Sequence, residues 1–267
     1  MPIDIFMTTK DRPTLLRRSL NSLLECTPRN LFRLTLVHDT SDQTTHDVIH
    51  ETFYGRWDHV IAHSENEGLG PSINQALSHI SALKSWDNNP SPLTLYVQDD
   101  VQFSPGWLEK LSQKFLQLEK PLNLGFASGV ECVEHPIKKD LGNGLVLKDW
   151  IRATCMLARH DYWMSMWPIS RIDPETGRER GKPNDGMGSS VDWWFIRNHP
   201  KSVCRSGRTN LVIPGLLQHV GYRESTWLKR ELPESEIDKA LMTHGCTCSY
   251  DESEEMTRHS NLCKTNK

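Results

Sequence analysis

The first half of the chain alternates short apolar runs with longer segments in which apolar residues recur every three or four positions. The apolar runs predict strands at residues 3–7, 32–37, 60–61 and 93–97. The helical spacing predicts helices whose apolar faces are Leu16, Leu20, Leu23 and Leu24; Ile73, Leu77, Ile80 and Leu83; and Leu108, Leu111 and Phe115. Pro13 and Pro105 suit the beginnings of the first and last of these helices. This alternation predicts an α/β fold with a mostly parallel sheet flanked by helices on both faces.

Polar residues follow three of the predicted strands. They occupy residues 8–12, 38–39 and 98–100. Sheets of this kind bind ligands beyond the carboxyl ends of their strands, so these segments are the first place to look for a site.

The second half of the chain is less regular and is rich in Trp, Gly and Pro. Its longest predicted loop covers residues 171–190. Loops on a rigid scaffold often carry specificity, so we expect this irregular half to help determine specificity and to continue the first domain. The predicted organisation is one domain over residues 1–230, divided into a first half (1–120) and a second half (121–230). A C-terminal helix and tail would occupy residues 231–267.

Length and charge narrow the class of protein. A chain of 267 residues suits one large α/β domain, and its formal net charge of −3 is not that of a general polyanion binder. The seven cysteines, an odd number without a repeat, favour reduced thiols. No stretch approaches the ~20 apolar residues of a membrane span, and the first residues do not resemble a signal peptide. We therefore expect a cytoplasmic protein without a membrane partner, in the host cytoplasm if the source is viral.

The strongest local signal is the pair Asp99 and Asp100 at the end of the fourth apolar run. Adjacent carboxylates repel each other, so a cation or hydrogen-bond donors must compensate them. Oxygen ligands of this kind suit Mg²⁺ or Mn²⁺, which could bridge a diphosphate. A solvated turn that caps the next helix would explain the same two residues equally well.

Three weaker signals accompany this pair. Gly68 and Gly70 precede a helix and would let the backbone approach an anionic ligand, although a plain turn is the alternative. His219 follows an apolar run and could complete a metal site or lie in the core. Asp192 stands beside aromatic residues, which would raise its pKa for general-base work, and the alternative is an acidic helix N-terminus.

Taken in order, these segments resemble the family-2 glycosyltransferases with the GT-A fold, over roughly residues 3–227. The resemblance rests on residues 7–13, on residues 37–42, on Asn66-Glu67-Gly68 with Asn74, and on Gln98-Asp99-Asp100 at the position of the family's Asp-x-Asp motif. It implies that the nucleotide-sugar contacts come from Thr8, Arg12, Asp39, Asn66, Gly68, Asn74, Gln98 and Asp99. Asp39 would read the base or ribose. Residues 1–120 would then form the nucleotide-sugar half of the GT-A domain, and residues 121–230 its acceptor and catalytic half.

The resemblance also implies roles around the metal and the acceptor. Gln98 replaces the first acidic residue of the motif, so Asp100 would hold Mn²⁺ or Mg²⁺ with His219, and Asp99 would reach the ribose or a metal-bound water. Asp192 would be the catalytic base, with Asp185 as its rival. Trp193 and Trp150 would contact the acceptor.

The function so implied is a metal-dependent, inverting transfer of sugar from a nucleotide-sugar, expected to be a UDP-sugar, to an acceptor hydroxyl. The acceptor would be a glycan, a protein or a hydroxymethylated base in viral DNA. A nucleotidyltransferase is the first alternative, but its glycine-rich phosphate loop is missing from residues 8–12. A non-catalytic module that binds a nucleotide or sugar is the second.

Overall fold

The structure is a computed structural model, and it describes residues 1–39, 42–53, 59–130, 136–170 and 194–220. The predicted elements of the first half are all present. In chain order they are β1 (Ile3–Thr9), α1 (Pro13–Cys26), β2 (Phe32–His38), α2 (Gln43–Phe53), β3 (His59–Ala62), α3 (Leu69–Trp86), β4 (Leu93–Gln98), a short β5 (Val101–Phe103) and α4 (Trp107–Leu118).

The second half adds more strands than its sequence pattern indicates. These elements are β6 (Leu124–Ser128), β7 (Ile137–Gly142), β8 (Leu145–Lys148), β9 (Cys155–Arg159), α5 (His160–Ser165), a π-helical turn (Trp194–Asn198), β10 (Thr209–Val212) and β11 (Leu217–His219). Most of these strands are only four or five residues long, which leaves too little sequence for a clear period of two.

Nine strands form one mixed sheet in the order β3-β2-β1-β4-β9-β6-β10-β8-β7. Strands β1 to β4 are parallel to one another, as the alternation of strands and helices predicts. β9 then pairs antiparallel with β4, and β10 returns to a parallel pairing with β6. The carboxyl ends of β1, β2 and β4 therefore meet at one edge, where the polar segments of the first half converge.

Apolar side chains cover both faces of this sheet. Alternate residues of β1 point to opposite sides: Ile5 and Met7 join one core cluster and Phe6 joins the other. Helices α1, α2 and α4 contribute buried residues to the first cluster, and α3 and α5 contribute to the second. None of the helices in the described part of the chain is long and apolar enough to cross a bilayer.

All described residues except Val220 belong to one compact unit, Met1–His219. The predicted division at residues 120 and 230 remains a prediction, since the chain beyond Val220 lies outside the described residues.

Candidate functional site

Asp99 and Asp100 form a tight turn between β4 and β5, and both side chains are buried. Asp99 is 0% exposed and Asp100 is 3% exposed. The alternative of a solvated turn is therefore wrong for this pair. Two neighbouring carboxylates without water around them require compensation from the protein, because burial disfavours the charged form of each.

Arg12, the residue directly before α1, supplies the positive charge that compensates the two carboxylates. Its Nη1 donates to Oδ2 of Asp100 at 2.8 Å, and its Nη2 donates to Oδ1 of Asp99. The hydroxyl of Thr9 donates to the other Asp99 oxygen at 2.6 Å. One guanidinium thus bridges both acids, and both oxygens of Asp99 are used within the protein.

The two acids differ in how readily they ionise. Burial raises the pKa of Asp99 to about 7, against the opposing charge of Arg12. Burial also opposes ionisation of Asp100, but the charges of His219 and Arg12 outweigh it and lower the pKa of Asp100. Asp100 is consequently the firmly ionised member of the pair at neutral pH, as a cation ligand must be.

Ser19 fixes the backbone of this turn and was not predicted from the sequence. Its hydroxyl donates to the carbonyl of Asp99 at 2.7 Å and accepts from the N–H of Val101 at 2.9 Å. Ser19 is 0% exposed on the same buried face of α1 as Leu16 and Leu20. A serine on an otherwise apolar helix face was the signal that could have identified it.

His219 reaches Asp100 because β11 pairs with β5. The antiparallel register places His219 opposite Val101, the residue after Asp100. Nε2 of His219 lies 3.2 Å from Oδ2 of Asp100. The structure therefore brings together the two residues predicted to be metal ligands.

These two side chains fit a divalent cation that is held partly by its substrate. Oδ1 of Asp100 is buried and makes no hydrogen bond within the described residues, so it is an acceptor open to a cation. The described ranges contain no group of three or more His, Cys, Asp or Glu side chains that could hold a metal. Mg²⁺ is commonly bound through one or two carboxylates plus substrate phosphates, which matches this set.

Asp39 lies at the carboxyl end of β2 and organises the loop before α3. Its two carboxylate oxygens accept from the backbone N–H groups of Glu67 and Gly68, each at 2.8 Å. Its Oδ1 also lies 2.8 Å from Nδ1 of His63, whose Nε2 is 2.8 Å from Oε1 of Gln75. The carboxylate thus serves as an anchor for the predicted donor loop.

The donor loop itself needs a glycine. Gly68 has a φ of +95°, a conformation that side-chain-bearing residues rarely adopt. The predicted donor residue Asn66 is half-buried in this loop. Asn74, one turn into α3, donates to the carbonyl of Ile169 at 3.0 Å and accepts from its N–H at 2.7 Å. Asn74 therefore ties the donor-side helix to the segment that follows α5.

The other predicted residues occupy varied positions. Thr8 is buried, with its hydroxyl 3.1 Å from that of Tyr96, while Gln98 is half-buried at the end of β4. Trp150 packs partly buried against the second core cluster. The remaining predictions, Asp192, Asp185 and Trp193, lie outside the described residues.

Comparisons with known proteins agree with this architecture. The sequence profile of Glycosyl transferase family 2 matches residues 4–172. No curated protein sequence matches the chain.

Two solved structures of TarS from S. aureus are similar in fold. The first is 11% identical with a TM-score of 0.51, and the match covers 98% of this chain and 47% of that one. The second, TarS 1-349, is 12% identical with a TM-score of 0.51, and the match covers 98% and 78% of the two chains. This chain thus spans less than half of the longer TarS chain, and at these identities the likeness is one of fold.

Proposed function

Because the chain belongs to glycosyl transferase family 2, we propose that it transfers a sugar from a nucleotide-sugar, most simply a UDP-sugar, to an acceptor hydroxyl. One observation carries the proposal. Arg12, the Asp39-anchored loop, Asp100 and His219 all lie at the carboxyl edge of β1, β2 and β4 or at the turn beyond it. Ligands of open α/β sheets bind at this edge, and a nucleotide-sugar would bind there too.

The charges of this edge suit a diphosphate. The side chain of Arg12 is 27% exposed, so an anionic ligand could approach it while it remains beside Asp100. Asp100 and His219 would hold Mn²⁺ or Mg²⁺, which when bound would supply charge neutralisation for the leaving diphosphate. The donor would then be oriented by the loop around Asn66 and Gly68.

The family likeness supports a single displacement with inversion. Asp192, or Asp185 in its place, would take the proton of the acceptor hydroxyl as its oxygen attacks the anomeric carbon. Trp150 and Trp193 would contact the acceptor, which would be a glycan, a protein or a hydroxymethylated base in viral DNA. General-base catalysis is worth roughly 10²–10⁴-fold, so Asp192→Asn would lose turnover by that factor and keep donor binding.

Calorimetric titration of UDP with and without Mn²⁺ tests the donor site. Wild-type protein is expected to bind UDP more tightly with Mn²⁺, and Asp100→Asn is expected to lose that gain. Asp87→Asn is a matched control, because Asp87 pairs with Arg33 at 2.8 Å near the amino end of β1, away from this edge. It should behave as wild type.

The outcomes separate the alternatives. Metal-independent binding of UDP in both proteins would remove Asp100 as a ligand while leaving the donor site in place. Failure to bind UDP or any other nucleotide would overturn the proposal. Binding without release of sugar from any donor would favour the non-catalytic module, and release of pyrophosphate from a nucleoside triphosphate would favour the nucleotidyltransferase.

A further inference from the structure

Two histidines on the outer face of α2 lie close together. His46 and His50 are four residues apart, so they occupy the same face of the helix. Their rings are 4.3 Å apart between centroids, and their Nε2 atoms are 3.1 Å apart. His50 is exposed and His46 is partly exposed. Both nitrogens are thus accessible from solution.

The spacing of these nitrogens matches that of two ligands on one metal ion. Imidazole nitrogens bind Zn²⁺ at about 2.0–2.1 Å, which places two of them about 2.9 Å apart at a right angle and about 3.4 Å apart at the tetrahedral angle. The observed 3.1 Å falls between these limits. Neither ring would have to move far to bind the same ion.

The helix holds the pair in place. Val48 and Ile49, on the other side of α2, are 2% and 3% exposed and belong to the first core cluster. Asp42 begins the helix by accepting from the N–H and hydroxyl of Thr45 at 2.7 and 2.6 Å. Ligands on an anchored helix lose little freedom when they bind, which favours a preorganised site.

The surroundings also favour a cation. Asp47 lies beside the pair and accepts from Nε2 of Gln43 at 2.7 Å, while the same amide is 3.4 Å from Nδ1 of His46. At 3.4 Å the contact with Nδ1 is weak, so His46 can give it up and carry its proton on Nδ1, which frees Nε2 of His46 for a metal. The pKa of nearby His38 is lowered first by burial and then by the charge of His46. A cation bound at His46 would lower the pKa of His38 in the same way.

We propose that His46 and His50 form a bidentate site for a transition-metal cation of the Zn²⁺, Ni²⁺ or Cu²⁺ class on the surface of α2. Imidazole ligands select these ions over Mg²⁺ and Mn²⁺, and Cu²⁺ should bind most tightly. Water or a further ligand fills the outward positions of the ion. The site uses neither Asp100 nor His219 and does not rest on the proposed function.

Titration of the untagged full chain with Cu²⁺ alone, followed by calorimetry and electron paramagnetic resonance, tests the site. Wild-type protein at pH 7.5 is expected to bind one more equivalent than His46→Gln/His50→Gln, with coupling to two imidazole nitrogens in its spectrum. Each single variant should bind the additional Cu²⁺ ion with about 100-fold lower affinity, because the second ligand of a chelating pair acts at high effective concentration.

His59→Gln is the matched control, since His59 is a partly exposed histidine whose ring lies 4.7 Å from that of His79. The His59→Gln variant should keep the extra equivalent of Cu²⁺. Equal stoichiometry and affinity in wild type and the double variant would overturn the proposal, as would a wild-type spectrum without coupling to two nitrogens. If the double variant fails to fold, the single variants His46→Gln and His50→Gln make the same comparison with wild type.

Discussion

Replacement of Arg12 by Met should destabilise the protein strongly, because it removes the one guanidinium that bridges Asp99 and Asp100. Methionine keeps most of the side-chain volume, so the change is mainly one of charge. Thr9 would remain as the only described side chain that donates to Asp99. Asp100 would keep His219.

The size of the loss follows from the burial of the two acids. Breaking a buried ion pair by removing one partner costs roughly 3–5 kcal/mol, because the other charge is left uncompensated. Arg12 is 27% exposed, so we expect the lower end, about 3 kcal/mol. For a unit of this size each kcal/mol lowers Tm by about 2–4 °C, which gives a decrease of roughly 6–12 °C.

The loss should depend on pH. Arg12 lowers the pKa of both acids, so its removal raises both in the folded state. A carboxyl with a raised folded pKa binds its proton more tightly when folded, and stability then falls as pH rises toward that pKa. The difference between wild type and Arg12→Met should therefore be largest at pH 8 and smaller at pH 5.

Urea denaturation followed by circular dichroism at pH 5, 6.5 and 8 measures this difference. Arg17→Met is the control, since Arg17 forms an ion pair with Glu51 in which the side chains are 47% and 58% exposed. Such pairs contribute at most about 1 kcal/mol. Asp99→Asn should restore part of the stability of Arg12→Met. An Arg12→Met protein as stable as wild type at pH 8, or a difference that is the same at every pH, would refute the reasoning.

Two further predictions concern the donor loop. Burial lowers the pKa of His63, but the hydrogen bonds to Asp39 and Gln75 outweigh burial and raise it. The protonated His63 side chain therefore stabilises the fold fully below pH ~6.5, and this stabilisation is lost as pH rises through the folded pKa. In urea titrations from pH 5.5 to 9, His63→Gln should thus differ most from wild type at the acid end, and a constant difference would contradict the ion pair. Gly68→Ala should lower stability by about 1–3 kcal/mol, because φ is +95° there. A Cβ at Gly70 meets only ordinary contact with Ile169, so Gly70→Ala serves as the control. Equal stability of the two alanine variants would contradict the strain at Gly68.

The sequence was informative where elements are long and periodic. Helices α1 and α3 show apolar residues at helical spacing, and β1 and β4 are short, mostly apolar runs, so their existence and order could be predicted. Strands β9 and β10 carry equally buried residues, but they are short and lie among long loops. Their place in the sheet depends on pairing between distant segments, which local pattern does not encode.

The candidate site divides in the same way. Asp99, Asp100 and His219 could be selected because acids at a strand end and a late histidine match a known order of motifs. Their hydrogen-bond partners could not be predicted. Arg12 donates to both acids, Asp39 accepts from backbone N–H groups, and Ser19 donates to the backbone of the Asp99–Asp100 turn. Each depends on the exact placement of a side chain across the sheet edge.

The pairing of β11 with β5 also sets an order of events during synthesis. Asp100 is translated early, whereas the imidazole beside it belongs to the last strand of the unit. A nascent chain can therefore fold much of its sheet around Arg12, Asp99 and Asp100 while His219 is still inside the ribosome. The contact between His219 and Asp100 therefore forms only after β11 has been translated. A translation product released before β11 would carry Asp99 and Asp100 without their imidazole neighbour.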